Sequence, residues 1–473
     1  LDVANTGESS NIAIGVNTLG SETSGAIGCV AIGESALMDQ NRASSRNTAI
    51  GYQALTNLGS GVTYGGKQNT AVGYTAGGSG VFGGGADGGS NVYGSDNTMV
   101  GHQAAFSITT GQDNVIIGSF AGDALNTGVS NVLIGKHAGG TMTDNNNSVA
   151  IGAYALDAAN TGEHGNIAIG VHALSGESSG ADYCVAIGHN ALLAQNANVK
   201  NTAIGGLAGD AIVDATGNTL LGYSSGSGMT DATNNTALGH SAMSGGNGSS
   251  NVCVGYGAGG GGLAGSNNTI VGMQAGDALT SGAGNILVGK SSGGAMSSCD
   301  YNVAIGYQAL DSLTTNSHNN IAIGTNALAG QVADQTGGSI TDGSVNSIAI
   351  GRNALLVQNG ADAINLAIGY EAGNTVSTGT QNVLIGHEAG STLATATNCT
   401  AVGYQALQDA TGSNNTAIGK TAAYNIIGGT GNTCVGSAAM ETANTTESNN
   451  TAIGYGALQN LDDDDADGNV ALG

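Results

Sequence analysis

The sequence predicts an all-β protein, a parallel β-solenoid, on three observations. A five-residue motif, Asn47-Thr48-Ala49-Ile50-Gly51 in one copy, recurs from Asn11 to Gly473 in about 26 copies. Most copies lie 17 or 18 residues apart, and a fixed period of that size is the mark of a repeat architecture. The chain also has 85 glycines and no proline, as expected where every strand is paired on both sides and a missing backbone donor would break a ladder. Aliphatic triplets that end in glycine once per repeat leave no window for a helix. The array is read as one continuous solenoid over residues 1–473, about 26 coils of 17–18 residues.

Each repeat is read in the same order. The residue before the glycine is Ile, Val or Leu, and side-chain alternation puts it on the same side as the residue two earlier. We assign these aliphatics, Ile50, Val72, Ile117, Ile169, Ile204, Ile305 and Ile418, to the core. The residue between the two, Ala in most copies, faces the opposite side and is also apolar. A strand apolar on both faces is covered on both faces: one lines its own coil and the other needs a second surface. Gly51, Gly73, Gly118, Gly170, Gly205, Gly306 and Gly419 are the coil corners, where the absence of a Cβ frees the backbone. A second short strand is expected next, with Ala three places after the glycine in nearly all copies. A loop of Gly, Ser, Asn, Asp and Thr, all turn formers, then leads to the next motif.

The motif asparagines, among them Asn47, Asn69, Asn114, Asn166, Asn201, Asn302 and Asn415, are expected to stack coil upon coil as a hydrogen-bonded ladder. A longer period is superimposed. Blocks at approximately 1–163, 164–317 and 318–473 resemble one another at an offset of about 155 residues. Two long spacers, residues 76–97 with Phe82, Asp87 and Tyr93, and residues 330–346, are expected to bulge outward. At about 4.8 Å per coil the expected object is a rod on the order of 120 Å long.

Composition limits the function. With 33 acidic and 8 basic residues, the net charge of -25 argues against nucleic acid, which is held by Lys and Arg clusters. Cys29, Cys184, Cys253, Cys299, Cys399 and Cys434 form no CxxC pair and lie many repeats apart, so buried free thiols are expected rather than zinc ligands or disulfides. No apolar run is long enough to span a membrane. A chain that opens on Leu1 and stops inside a motif is expected to be a segment of something longer.

Candidate sites are few. His102, His189, His240 and His387 directly follow the motif glycine, and His137 and His172 sit one place further on. They share those slots with Tyr, Lys, Ser, Gln and Asn, so exposed polar residues are favoured over a metal site. Asp462, Asp463, Asp464, Asp465 and Asp467 form an acidic loop. That loop is the one candidate for Ca2+, but without an EF-hand or nonapeptide pattern a solvated loop is favoured and no cofactor is expected. Thr48, Thr202, Thr416 and Thr451 suggest an ice-binding ladder. It is rejected because Val and Ile replace Thr there and because the slot shares a face with the assigned core aliphatic. No nucleophile elbow, Walker loop or HExxH stands out, and the carboxylates form no distinctive pair of the kind a glycan hydrolase uses. An enzyme is not expected.

The runs NTAIGYQAL, SVAIGAYAL and NIAIGTNAL resemble the head repeats of YadA-like trimeric autotransporter adhesins. They are closer still to NTAIG arrays in phage tail fibres and related bacterial surface fibres. The resemblance implies a left-handed parallel β-roll, three chains wound about a common axis, and adhesion or host recognition outside the cell. The chain departs from that pattern in its longer coils and in showing neither a coiled-coil stalk nor an anchor barrel. The expected partners are other copies of the chain, as homotrimer or filament, and a cell-surface glycan or receptor. A ligand-free filament and a tailspike-type polysaccharide depolymerase are the alternatives.

Overall fold

The computed structural model describes residues 10–20, 26–39, 46–58, 66–78, 94–159, 162–176, 180–196, 200–312, 317–330, 346–358, 363–442, 446–461 and 467–473. It contains two compact units, Leu1–Asn234 and Asn235–Gly473. In the first, twelve strands run from β1 (Ile12–Ile14) to β12 (Thr219–Leu221). In the second, fourteen run from β13 (Thr236–Leu238) to β26 (Val470–Leu472). Both units are parallel β-solenoids, with 26 strands and about 23 turns in all, and the described residues contain no helix.

Every strand has three residues, the motif triplet itself. Within each unit a strand pairs in parallel with its sequence neighbours, and like slots oppose like slots: Thr48 lies against Thr70, Ala49 against Ala71 and Ile50 against Val72. In-register stacking follows from the period. One coil brings the chain back over the same slot, so identical side chains superpose and each backbone amide finds the carbonyl of the coil beside it.

The glycine that ends the triplet turns the chain. At Gly51 and Gly118, φ is 138° and 144°, a conformation essentially restricted to glycine. A Cβ on either would strike the carbonyl oxygen of the glycine one coil on, Gly73 or Gly135.

Two expectations are corrected here. No second strand follows the glycine among the described residues; a run of turns takes its place. In the coil after Gly51, Gln53 and Leu55 have φ of 48° and 50°, outside the β region. The ladder continues even so, with Gln53 N donating to Glu34 O and Leu55 N to Ala76 O.

The second correction concerns the core. The middle residue of the triplet points into the coil: Ala49, Met99, Ile116 and Leu133 are fully buried. The pre-glycine aliphatics face outward. Ile50, Ile117, Ile305 and Ile418 are 37% to 41% exposed, and Val72, Ile169 and Ile204 are half-buried. Within one chain they are not core. Alternation fixed which residues share a face, but with both faces apolar it could not say which face is inside.

In several coils the large interior side chain moves between slots. At the Ala centres Ala49, Ala150 and Ala304 a buried Leu follows four places after the glycine, Leu55, Leu156 and Leu310, whereas after Ala203 and Ala367 that place is Gly209 or Gly373. Where the centre is large, as at Ile116, Leu133 and Leu287, that place is Gly122, Gly139 or Gly293, and a Cβ there would meet the large side chain. In those coils a second buried residue, Leu125, Met142 or Met296, enters seven places after the glycine, as Leu58 does in the coil of Ala49. The spacer residues 79–93 and 331–345, Phe82, Asp87 and Tyr93 among them, lie outside the described residues.

Candidate functional site

Four columns of side chains run along each unit, and they carry whatever chemistry the fold offers.

The first is internal. Asn47, Asn69, Asn114, Asn166, Asn201, Asn302 and Asn415 are fully buried. Each Oδ1 accepts the backbone N–H of the equivalent residue one coil on, as from Asn69 N to Asn47 (2.9 Å), Asn131 N to Asn114 (2.9 Å) and Asn320 N to Asn302 (3.0 Å). Each Nδ2 donates to a loop carbonyl, from Asn47 to Gly66 O (3.0 Å), from Asn114 to Gly128 O (2.8 Å) and from Asn201 to Ala215 O (2.7 Å). One side chain thus satisfies a buried amide and pins a loop that would otherwise leave its carbonyl unpaired.

At two slots where the asparagine is missing, a glutamine repairs the ladder. Cys184 occupies one such slot, and Gln195 Nε2 donates to its Sγ (2.9 Å) while Gln195 Oε1 accepts from Asn201 Nδ2 (3.0 Å). Ser347 occupies another, and Gln358 Nε2 donates to its Oγ (2.9 Å) while Gln358 Oε1 accepts from Asn365 Nδ2 (3.1 Å). Both glutamines are buried. The sequence reading missed them, although a signal was present: each Gln stands eleven residues after the substituted slot. Gln40 stands eleven after Cys29, outside the described residues.

A second polar column was also missed. Two places before the motif Asn, a side-chain acceptor takes the backbone N–H of the preceding coil. The donors and acceptors are Asn146 N to His164 Nδ1 (3.1 Å), His164 N to Asp182 Oδ1 (2.7 Å) and Asp300 N to His318 Nδ1 (3.1 Å). Ser413 and Ser448 hydroxyls do the same for Thr397 and Thr430, at 3.0 and 3.1 Å. Varied residue types hid the column, because all that the slot requires is a lone pair.

The third column is the outer strand face. It holds a file of Thr, Val, Ile or Leu beside the pre-glycine file of Ile, Val or Leu, and no strand residue is charged. Thr48, Thr202, Thr416 and Thr451 lie half-buried on this face. The earlier reason for rejecting them, that they point into the core, therefore fails, while the replacement of Thr by Val and Ile along the same file stands.

The fourth column is the corner after the glycine. In the first unit its rings stack over successive coils: Tyr52 on Tyr74 (5.1 Å between ring centres), Tyr74 on His102 (5.2 Å), Phe120 on His137 (5.0 Å), His137 on Tyr154 (5.3 Å) and Tyr154 on His172 (5.0 Å). His102 meets Phe120 edge-on at 4.9 Å, and Lys136 Nζ sits 5.5 Å from the Tyr154 ring centre. In the second unit His387 stacks between Tyr370 and Tyr404 (5.0 and 5.1 Å), and His240 stacks on Tyr256 (5.3 Å). The sequence shows these residues but not that their rings meet.

The six cysteines are buried and none of them is in a disulfide. Burial pushes the Cys253 and Cys434 thiols up to about 12. Burial also raises the carboxyls of Asp123, Asp157, Asp277 and Asp311 above the ordinary range. Among the described residues, no group of three or more His, Cys, Asp or Glu is placed to hold a metal ion. Asp462, Asp463, Asp464 and Asp465 lie outside them, and Asp467 Oδ1 accepts from Ser448 N at 2.6 Å. No helix of the described residues is long and apolar enough to cross a membrane. Compared with known protein families and with curated proteins, the chain matches none.

Proposed function

We propose that this chain is the shaft of an extracellular adhesive fibre. Its sister copies cover one another's outer strand faces, and its function is rigid display and surface attachment rather than catalysis. The observation that carries the reading is the uncharged outer face: two files of Thr and aliphatic residues, with Ile50, Leu221, Ile286 and Ile418 between 37% and 48% exposed. Exposed aliphatic residues repeated along one uncharged face are what an interaction site offers. A face that repeats coil after coil is best matched by an identical face that repeats with the same period. A homotrimer about a common axis, wound left-handed, is the arrangement we favour from the motif resemblance. A rod of that kind gains from avidity, since weak contacts repeated along its length add.

The test is the oligomeric state of the full chain by light scattering, with electron micrographs of the same sample. Trimers seen as thin rods support the proposal; a monodisperse monomer with this face exposed overturns it.

A further inference from the structure

Two glycines sit between converging carboxylates. A Cβ on Gly140 would lie 2.5 Å from Asp157 Oδ1 in the coil that follows and 3.6 Å from Asp123 Oδ1 in the coil before. A Cβ on Gly294 would collide with Asp311 Oδ1 and lie 3.7 Å from Asp277 Oδ1. Neither glycine has a positive φ, so the backbone does not require glycine there; a carboxylate fills the place of its side chain. The two cradles repeat at the block offset of about 155 residues, one in each unit. All four aspartates are half-buried.

Burial is the main force on each carboxyl, and it favours the neutral acid. The facing carboxylate adds to it at Asp123 and Asp277. Opposing it are backbone amides, among them Gly140 at Asp157 and Gly294 at Asp311, and the Gln308 amide, whose Nε2 donates to Asp311 Oδ2 at 3.1 Å. His137 faces both carboxyls of the first cradle and His172 faces Asp157. The second cradle has Ser291 and Asn326 in those slots, so burial acts there without them. The balance is upward at all four. The ladder bonds that cross the cradles are also long. Ala124 N donates to Gly140 O at 3.2 Å and Ala278 N to Gly294 O at 3.3 Å. In the same coils Gly118 N donates to Val100 O and Gly272 N to Val254 O at 2.8 Å.

We infer that each cradle is an acid-tightened clamp: in neutral solution it is a loose point of its unit, and protonation of its carboxyls in mild acid draws its three coils together. The sign follows from linkage. A carboxyl that holds its proton more firmly in the folded chain costs nothing below its ordinary value of 3.8. The cost grows as the pH rises through the raised value and is complete in neutral solution. Protonated histidines beside the first cradle pull its carboxyls back down, so the response is larger at the second. The device lies in the loops rather than on the outer strand face, and it holds whether or not sister copies cover that face.

The experiment is hydrogen–deuterium exchange of the full chain, read by mass spectrometry over residues 277–295. Wild type is compared with Asp277→Asn, Asp311→Asn at the same pH, which cancels the intrinsic pH dependence of exchange. The double variant keeps the shape of the protonated acids. At about pH 7 it is expected to exchange at least about twofold more slowly than wild type, and near about pH 4 the difference is expected to close. The corresponding change at the first cradle, Asp123→Asn, Asp157→Asn read over residues 123–141, is expected to be smaller. If the double variant fails to fold, Asp277→Asn alone is expected to give the same sign at smaller amplitude. Asp231→Asn, at an exposed position, removes a charge away from the cradle and is expected to change nothing over residues 277–295. Exchange at pH 7 that is equal or faster in the folded cradle variant, a difference that persists unchanged in acid, or an equal gain from Asp231→Asn overturns the inference.

Discussion

Replacing Gln195 by Ala tests whether the buried amide repairs the asparagine ladder. Gln195 makes two internal bonds, to Cys184 Sγ at 2.9 Å and from Asn201 Nδ2 at 3.0 Å. Asn201 Nδ2 retains its bond to Ala215 O at 2.7 Å, so the variant loses one neutral amide bond and one weak bond to sulfur without fully orphaning either partner. The lost amide bond contributes about 1 kcal/mol. The cavity left by the missing side chain adds about 1–2 kcal/mol, for a total of about 2–3 kcal/mol. Cys184→Asn should offset the polar part, because a side-chain oxygen in that slot accepts from the next asparagine, as Asn201 Oδ1 does from Asn218 N at 2.9 Å and Nδ2 at 3.2 Å. The double variant should therefore be more stable than the sum of the single effects by about 1 kcal/mol. Urea unfolding followed by far-ultraviolet circular dichroism at fixed protein concentration measures the cycle. Coupling below about 0.3–0.5 kcal/mol, the scatter of independent sites, would show that Gln195 fills space and does not repair the ladder.

Other outcomes are equally specific. Gly118→Ala should destabilise by about 1–3 kcal/mol from backbone strain alone, and by more as the Gly135 carbonyl is pushed aside; thermal unfolding checks it, and an unchanged midpoint would contradict the corner geometry. Ile305→Asp, on the outer face, should leave the circular dichroism intact while shifting the light-scattering mass toward monomer. Leu133→Ala, at a triplet centre opposite Gly139, should cost about 2–5 kcal/mol, whereas Leu133→Ala with Gly139→Ala should recover none of it, because Gly139 sits at φ 62°. Cys253 should resist alkylation by iodoacetamide at about pH 8 until the chain is unfolded, since only the thiolate reacts and burial holds this thiol up to about 12. The sign for stability follows: its folded value is raised above the ordinary thiol value of 9.0. The stabilisation is thus complete below about pH 9 and declines as the pH rises toward 12. Cys253→Ala should flatten that part of the curve.

The fold class, the period and the corner glycines were legible in the residues because each follows from local chemistry. A triplet of β-branched and small residues extends, a glycine turns, and repetition superposes them. The asparagine slot was legible for the same reason, since a buried amide recurring once per coil has the next amide as its neighbour. The face assignment was not legible. Ile50 and Ala49 are both apolar, and alternation alone gives two equivalent ways to wind the coil. The stretch after the glycine misled because small residues such as Ala54 fit a strand as well as a turn, and only the positive φ of Gln53 and Leu55 separates them.

The sequence by itself therefore determined what repeats: the coil length, the strand triplet, the turn, and which residues superpose when coils stack in register. Only the tertiary structure decided which face of the triplet is inside, that Leu55 and Ile116 fill the interior from different slots, and how Gln195 reaches across eleven residues to Cys184. It also decided that the corner rings of successive coils stack. The physical reason is that the first set depends on spacing along one chain. The second depends on which way the coil closes and on contacts between residues whose separation in sequence says nothing about their distance until the coil has closed.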